Sequence, residues 1–147
     1  MIESPIPHLV AGGRGGSIVM NGSTAATRPV GSRDGRLAYM AGEHGAVGLM
    51  KVYALALAEH WIRVNMVHPT GIASGMTMKP PRRRWRAADA AAGTTGEESW
   101  IAKSRNLLDV RMLEPTDITE AVMFLVSDKT RYTTGEEIKV DADFFLL

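Results

Sequence analysis

The stretch Tyr39-Met40-Ala41-Gly42-Glu43-His44-Gly45 decides the fold, because it lies near the start of a long apolar helical pattern between two short apolar runs. The first run covers residues 17–21 and the second covers residues 62–67. Short apolar runs of this kind are typical of parallel strands that are covered on both faces. A strand, a crossover helix and a second strand form a right-handed parallel pair. The sequence therefore predicts a βαβ unit and an α/β fold.

The predicted helix, residues 36–58, is apolar nearly all round, which is typical of a helix that is buried on more than one side. One side faces the sheet, and a second side must face something else. Glycine recurs at every third position, at residues 42, 45 and 48. Each glycine costs roughly 1 kcal/mol relative to alanine in a helix interior. The glycines are either tolerated drift or the seam of a helix–helix dimer, and the sequence leaves both open.

The chain begins with a helical stripe formed by Ile2, Ile6, Leu9 and Val10. The glycine cluster at residues 12–16 follows this helix and precedes a strand. The dinucleotide-binding fingerprint has the opposite order, since it follows a strand and opens a helix. We therefore interpret the cluster as a turn.

The second half of the chain is less regular up to about residue 99. Its basic run, residues 79–86, contains one tryptophan, and we expect a solvated loop rather than a nucleic-acid site. A short helix is predicted at 97–108, and Pro115 is predicted to open a clearer one. Ile138 and Val140 alternate with polar residues and predict a final strand. The apolar tail, residues 144–147, is expected to pack on the core or on a partner.

Composition favours a single domain in a reducing compartment. The chain has 147 residues, a net charge of +1 and no cysteine. No apolar run approaches the roughly 20 residues that cross a bilayer, and no secretory signal is visible. We expect a soluble cytoplasmic protein that binds neither membrane nor nucleic acid. The four histidines show no ligand spacing, so no metal site is predicted. The acidic pairs at 97–98 and 136–137 are expected to be solvated charges.

Several ordered blocks resemble the C-terminal part of a short-chain dehydrogenase/reductase, and they are most similar to its carveol-dehydrogenase-like actinobacterial branch. The blocks are Gly15-Gly16-Ser17-Ile18-Val19, Ser23-Thr24-Ala25, Ile62-Arg63-Val64-Asn65-Met66-Val67-His68-Pro69-Thr70, Tyr132-Thr133-Thr134-Gly135 and Val140-Asp141-Ala142. The resemblance implies a partial Rossmann-type parallel sheet with flanking helices. It implies one truncated domain over residues 1–147 that lacks the N-terminal dinucleotide-binding half. Residues 77–98 fall at the family's variable substrate loop.

The same resemblance implies hydride transfer between a nicotinamide, NAD or NADP, and a small alcohol or ketone. By position, Tyr39 matches the residue that exchanges the proton and also touches the cofactor. Ser23 matches the residue that orients the substrate oxygen. Pro69, Ile72 and Ser74 match positions that hold the nicotinamide end of the cofactor.

Two departures from the family pattern predict impaired catalysis. Glu43 stands where the family has a lysine, four residues after Tyr39, so its carboxylate faces the phenol and opposes ionisation. Lys51 lies two turns further along and is not an obvious replacement. The absent N-terminal half also leaves the pyrophosphate without a recognisable site and the first strand with an unpaired edge. A smaller change is Asp143, where the family usually has glycine.

Two functions remain open at this point. One is an oxidoreductase that works alone, weakly, or with another polypeptide. The other is a non-catalytic remnant that serves as an oligomerisation or interaction module. In either case we expect a homo-oligomer that pairs through helix 36–58 and the C-terminal tail.

Overall fold

The computed structural model describes residues 2–28, 36–75, 77 and 106–143. Within these residues three parallel strands form one sheet in the order β1-β2-β3. The strands are β1 (Gly16–Asn21), β2 (Ile62–Pro69) and β3 (Glu137–Val140). The helices are α1 (Ile6–Gly12), α2 (Arg36–Leu57) and α3 (Pro115–Val126). The predicted α/β class with a parallel sheet is confirmed, and β2 runs two residues beyond its predicted end.

Strand β2 is the centre of the described sheet. It pairs with β1 from Gly16↔Ile62 onward and with β3 from Met66↔Glu137 onward. Two backbone bonds, Gly16 N–H to the Trp61 carbonyl and Gly22 N–H to the Val67 carbonyl, place the even-numbered residues of β1 toward β2. The odd-numbered ones, 17, 19 and 21, therefore direct their N–H and C=O groups to the other edge of β1. Among the described residues β1 has no strand on that edge.

Each face of the sheet has its own core. On one face α2 contributes Met50, Ala54 and Leu57, which pack on alternate residues of β2. The stripe predicted at the start of the chain packs against this same cluster, since Ile2, Ile6, Leu9 and Val10 are all partly buried on it. On the other face Ile118 and Leu125 of α3 pack on Val67. Because α2 and α3 lie on opposite faces, β2 is apolar along most of its length.

Arg63 fastens the end of α3 to the sheet. Its guanidinium donates to the carbonyl of Leu125 at 2.8 Å, to Oγ1 of Thr130 at 3.0 Å and to the carbonyl of Ser127 at 3.3 Å. Ser17 on β1 also donates to the Leu125 carbonyl, at 3.1 Å. The last carbonyls of a helix lack intrahelical partners, and these contacts satisfy them together with hydrogen bonds from Thr130.

The glycine cluster at 12–16 forms a turn between α1 and β1, as predicted. Gly15 has φ +71°, and a Cβ atom added there would lie 2.6 Å from the Trp61 carbonyl oxygen. The backbone of the turn approaches Trp61, directly before β2, too closely for any side chain.

Some of the remaining predictions concern described residues and can be compared with the structure. Pro115 opens α3, and Ile138 and Val140 lie on β3, as the patterns predicted. Residue 106 has no regular structure and residues 107–109 form bends, so the short helix predicted at 97–108 is wrong at its end. A helix could not continue there, because the N–H groups of Leu107 and Leu108 both reach the Ala142 carbonyl. The rest of that prediction, the basic run and the apolar tail lie outside the described residues.

Candidate active site

The candidate residues lie where β1 and β2 end. Ser23 follows β1 by two residues, and the loop at 70–77 follows β2. Both strands are parallel, so their carboxyl ends meet at the same edge of the sheet. Open α/β sheets bind their ligands at this edge.

Hydrogen bonds hold Ser23 in place through its hydroxyl oxygen and its carbonyl oxygen. It caps the short 3-10 turn Thr24–Ala26, and its Oγ accepts from the N–H of Ala25 at 3.1 Å. Its carbonyl accepts from the N–H of Ala26 at 2.9 Å and lies 2.9 Å from Nδ1 of His68. The turn itself is buried. The Ser23 hydroxyl is therefore fixed in position and keeps its hydrogen for another acceptor.

Tyr39, in the first turns of α2, is 49% exposed. The pKa of Tyr39 is raised above its ordinary value of 10.0, first by partial burial of the phenol. A hydrogen bond with Ser23 acts in the opposite direction and lowers it. A donor to the phenol oxygen favours the phenolate, so the serine donates here. The structure thus brings together the two residues that the sequence predicted as the catalytic pair.

Glu43 sits one turn further along α2 and raises the pKa of Tyr39 both by its charge and as a hydrogen-bond acceptor. The i, i+4 spacing predicted that these side chains face each other, and Glu43 is close enough to act on the pKa of Tyr39. A carboxylate beside a phenol disfavours the phenolate. While ionised it accepts hydrogen bonds and donates none, so it cannot donate to the hydroxyls of a cofactor ribose. The residue at this position does not fit the role of the family's lysine.

The loop after β2 is held by hydrogen bonds to neighbouring segments and within itself. Thr70 donates to the Val140 carbonyl at 3.2 Å, and Ile72 forms an isolated bridge with Leu113. The hydroxyl of Thr77 hydrogen-bonds with the carbonyls of Ile72 and Ser74, and it accepts from the N–H of Ser74 at 3.0 Å. Pro69 is buried at the end of β2. The three predicted nicotinamide-side residues, Pro69, Ile72 and Ser74, therefore lie on one ordered segment next to Ser23.

Sequence reasoning missed a charged network directly beneath Ser23. His68 is fully buried, and its Nε2 lies 3.1 Å from Oε2 of Glu137. The other carboxylate oxygen of Glu137 lies 2.9 Å from Nζ of Lys51. The prediction that the pair at 136–137 is solvated is therefore wrong for Glu137, whose side chain is only 27% exposed. The available signal was a histidine in a strand that is otherwise apolar on that face.

The decisive comparison is with a family profile described as Enoyl-(Acyl carrier protein) reductase, which matches residues 1–143. A putative short-chain type dehydrogenase/reductase of Mycolicibacterium smegmatis is 37% identical over 99% of this chain. This chain belongs to the short-chain dehydrogenase/reductase family. The resemblance seen in the sequence is confirmed.

Two carveol dehydrogenases are among the relatives of this family member. The (-)-trans-carveol dehydrogenase of Rhodococcus erythropolis is 38% identical over 93% of the chain and 48% of its own length. The crystal structure of carveol dehydrogenase from Mycobacterium avium, in complex with NAD, superposes with a TM-score of 0.84 at 34% identity. It covers 99% of this chain and 52% of that protein. The chain spans about half the length of the relatives it matches.

Two further observations concern the described residues as a whole. None of the helices in the described part of the chain is long and apolar enough to span a bilayer. Within the same residues, no cluster of three or more histidine, aspartate and glutamate side chains could hold a metal ion.

Proposed function

We propose that this chain is the hydroxyl-bearing half of an NAD- or NADP-linked oxidoreductase that acts on a small alcohol or ketone. The observation that supports this most is the position of Ser23 on a fixed turn at the carboxyl edge of a parallel sheet, close enough to Tyr39 to lower its pKa. Both carveol dehydrogenases named above are relatives at more than 30% identity, so a cyclic secondary alcohol such as carveol is the first substrate to test.

In this proposal Tyr39 exchanges the proton of the substrate hydroxyl and Ser23 orients the oxygen. The nicotinamide, when bound, supplies or accepts the hydride at the carbon. The phenol is half-exposed, so a substrate oxygen can reach it. A phenol acts as a general base only in its ionised form, so proton removal depends directly on the pKa of Tyr39.

Glu43 makes this a slow catalyst in the direction of alcohol oxidation. It disfavours the phenolate that must accept the proton. In carbonyl reduction Tyr39 acts as the acid, and the neutral phenol is the form that Glu43 stabilises. The raised pKa keeps the tyrosine in its neutral, proton-donating form but also makes the phenol a weaker acid, so we expect reduction to be slowed as well.

We propose that cofactor binding requires the other half of the fold, which the relatives contain and this chain does not match. Pro69, Ile72 and Ser74 are the residues that would hold the nicotinamide end. The outward N–H and C=O groups of residues 17, 19 and 21 are positioned to pair with a further parallel strand. A second polypeptide, or another part of a longer chain, would supply that strand and the adenosine site.

We also propose that copies of this chain pair through α2. The face of α2 turned away from the sheet exposes Leu49, Val52 and Leu55, the last with 82% of its surface accessible. A Cβ atom added at Gly42, Gly45 or Gly48 meets nothing within 4 Å. A contiguous apolar face with room for close backbone approach favours a helix–helix contact.

Fluorescence titration with NADH and NADPH tests the proposed function. The chain is titrated to about 1 mM cofactor, alone and after refolding with the N-terminal half of the Mycolicibacterium smegmatis relative. We expect saturable binding that is tighter in the presence of the added half, and no such gain for that half with an unrelated protein. Flat titrations under both conditions would overturn the proposal and favour a non-catalytic remnant.

A further inference from the structure

His68 sits between two hydrogen-bond acceptors. Its Nδ1 lies 2.9 Å from the Ser23 carbonyl oxygen, and its Nε2 lies 3.1 Å from a carboxylate oxygen of Glu137. A neutral imidazole has one N–H donor and one acceptor nitrogen, so it can satisfy only one of these partners. Both contacts are made when both ring nitrogens carry hydrogen, or when the Glu137 carboxyl itself is protonated.

The surroundings of Glu137 decide between these states. Nζ of Lys51 lies 2.9 Å from Oε1 of Glu137, on the side of the carboxylate away from His68. A lysine ammonium has only donors, so it favours the ionised carboxylate. Three groups then alternate in charge from α2 through β3 to β2, namely Lys51, Glu137 and His68. A fully buried imidazolium is stable only when it is paired in this way.

We infer that His68 is held as a doubly protonated imidazolium by Glu137, and that it is a positioning residue for Ser23. The second half of this inference rests on the proposed function, in which Ser23 orients the substrate oxygen. His68 and the N–H of Ala26 together occupy the carbonyl of Ser23. This carbonyl fixes the peptide plane that follows Ser23, and with it the direction in which the hydroxyl points at Tyr39.

The ring of His68 packs closely against the backbone at Gly22, directly before this turn. A Cβ atom added at Gly22 would lie 2.9 Å from Nδ1 of His68 and 3.0 Å from Cε1. The ring therefore lies directly against the backbone that leads from β1 to Ser23. A substitution at Gly22 crowds the imidazole, and also the sulfur of Met66 at 2.9 Å, without removing any hydrogen-bond partner of His68.

The charged groups around His68 come from two of the elements that pack on it. On α2, Lys51 acts through Glu137, and Glu43 is linked more remotely through Tyr39 and Ser23. On β3, besides Glu137, Lys139 is the register partner of His68 and is exposed. Residues 22–26 bring only backbone and hydroxyl groups. The nearest charge to the ring is thus the Glu137 carboxylate.

Nitrogen-15 NMR of histidine-labelled protein tests the charge state without any need for activity. At about pH 8, a free imidazole in water is neutral, and free histidine in the same buffer supplies the reference spectrum for that state. We expect His68 alone to show two protonated nitrogens. In Glu137→Gln the amide can donate to Nε2, so His68 should become neutral, with its hydrogen retained on Nδ1 toward Ser23. A neutral His68 in the unaltered protein would overturn the inferred charge state.

The titration of Tyr39 tests the positioning role. Tyr53→Phe and Tyr132→Phe leave Tyr39 as the single tyrosine, so its ionisation is read directly from ultraviolet absorbance. Losing the Ser23 donor should raise the pKa of Tyr39 further, and His68→Met should do so in the same direction as Ser23→Ala. The double variant should shift no more than Ser23→Ala alone.

Gly22→Ala provides a second, milder displacement if His68→Met fails to fold, and we expect it to raise the same midpoint. Glu137→Gln is the matched control, because it retains the Nδ1 contact with Ser23 and should leave the Tyr39 midpoint unchanged. If neither His68→Met nor Gly22→Ala moves the Tyr39 midpoint, His68 is structural only. That result is independent of cofactor binding, so it is distinguishable from failure of the proposed function.

Discussion

Glu43 lies one helical turn after Tyr39 on α2, and its carboxylate raises the pKa of the phenol that it faces. In the same site the Ser23 hydroxyl donates to that phenol and acts in the opposite direction. Tyr39 is thus balanced between a donor that favours its ionisation and an acceptor that opposes it. Partial burial of the phenol is the largest cause of the raised pKa, and the charge at position 43 adds to it.

Replacing Glu43 should shift the ionisation of Tyr39 in a graded way. Glu43→Gln removes the charge and Glu43→Lys reverses it, so the pKa of Tyr39 should fall in the first variant and fall further in the second. The measurement is ultraviolet titration in the background where Tyr53 and Tyr132 are phenylalanine. Glu59→Lys, on the exposed turn after α2, is the control and should leave the midpoint in place. Equal midpoints in all three position-43 proteins would contradict the assigned contact.

Stability at acid pH should depend on Glu137. The pKa of Glu137 is held below its ordinary value of about 4.5, chiefly by the hydrogen bond from Lys51, against opposing partial burial and with help from His68. A lowered folded-state pKa gives stability that is fully present above about 4.5 and is lost as the pH falls through the lowered value. Urea midpoints measured from about pH 6 to about pH 3 should therefore decline, and less steeply in Lys51→Met. Lys129→Met, on an exposed turn, should retain the original slope.

Among the cationic side chains of the described residues, Arg63 should be the one whose removal lowers the free energy of unfolding most. Arg63→Met removes a charged donor from the carbonyls of Leu125 and Ser127, which keep hydrogen bonds from Ser17 and Thr130, and we expect a loss of about 1.5–3 kcal/mol in the free energy of unfolding. Arg131 lies exposed over the ring of Tyr132 at 4.9 Å, so Arg131→Met should cost less than about 1 kcal/mol. Chemical denaturation compares the two. Similar losses would mean that the end of α3 is held by other contacts.

Leu55→Glu should disrupt the proposed pairing through α2. It places a charge on the exposed apolar face without touching the core, so the fold should remain and the oligomer should dissociate. Light scattering after size exclusion measures the mass. Met123→Glu makes the same change at an exposed position on α3 and should leave the oligomer intact. A monomeric unaltered chain would show that this face has another role.

The fold was largely predictable because its pattern is local. The apolar runs at 17–21 and 62–67 and the long helix between them specify a parallel pair on their own, and Pro115 marks α3 directly. The pairing of Tyr39 with Glu43 was also predictable, since a spacing of four residues on a helix brings side chains together. These features need no knowledge of the rest of the chain.

The network of Lys51, Glu137 and His68 was not predictable in the same way. Its members are separated by 17 and 69 residues along the chain, and they meet only because β3 pairs with β2 in one register and α2 crosses both. Glu137 resembles a solvated charge in sequence, because it follows Glu136 and precedes an alternating strand. Tertiary register alone turns it into the partner of a buried histidine.

The rate of Tyr39-dependent hydride transfer tests the central claim most directly. The chain is combined with the N-terminal half of the Mycolicibacterium smegmatis relative, NAD or NADP and carveol, and NAD(P)H formation is followed at about pH 8. Because a lower pKa of Tyr39 enlarges the phenolate population at this pH, Glu43→Lys should be faster than the unaltered chain. Adding Tyr39→Phe to Glu43→Lys should abolish the reaction. A Glu43→Lys protein that is no faster, or that keeps its rate without the Tyr39 hydroxyl, would contradict the proposed chemistry.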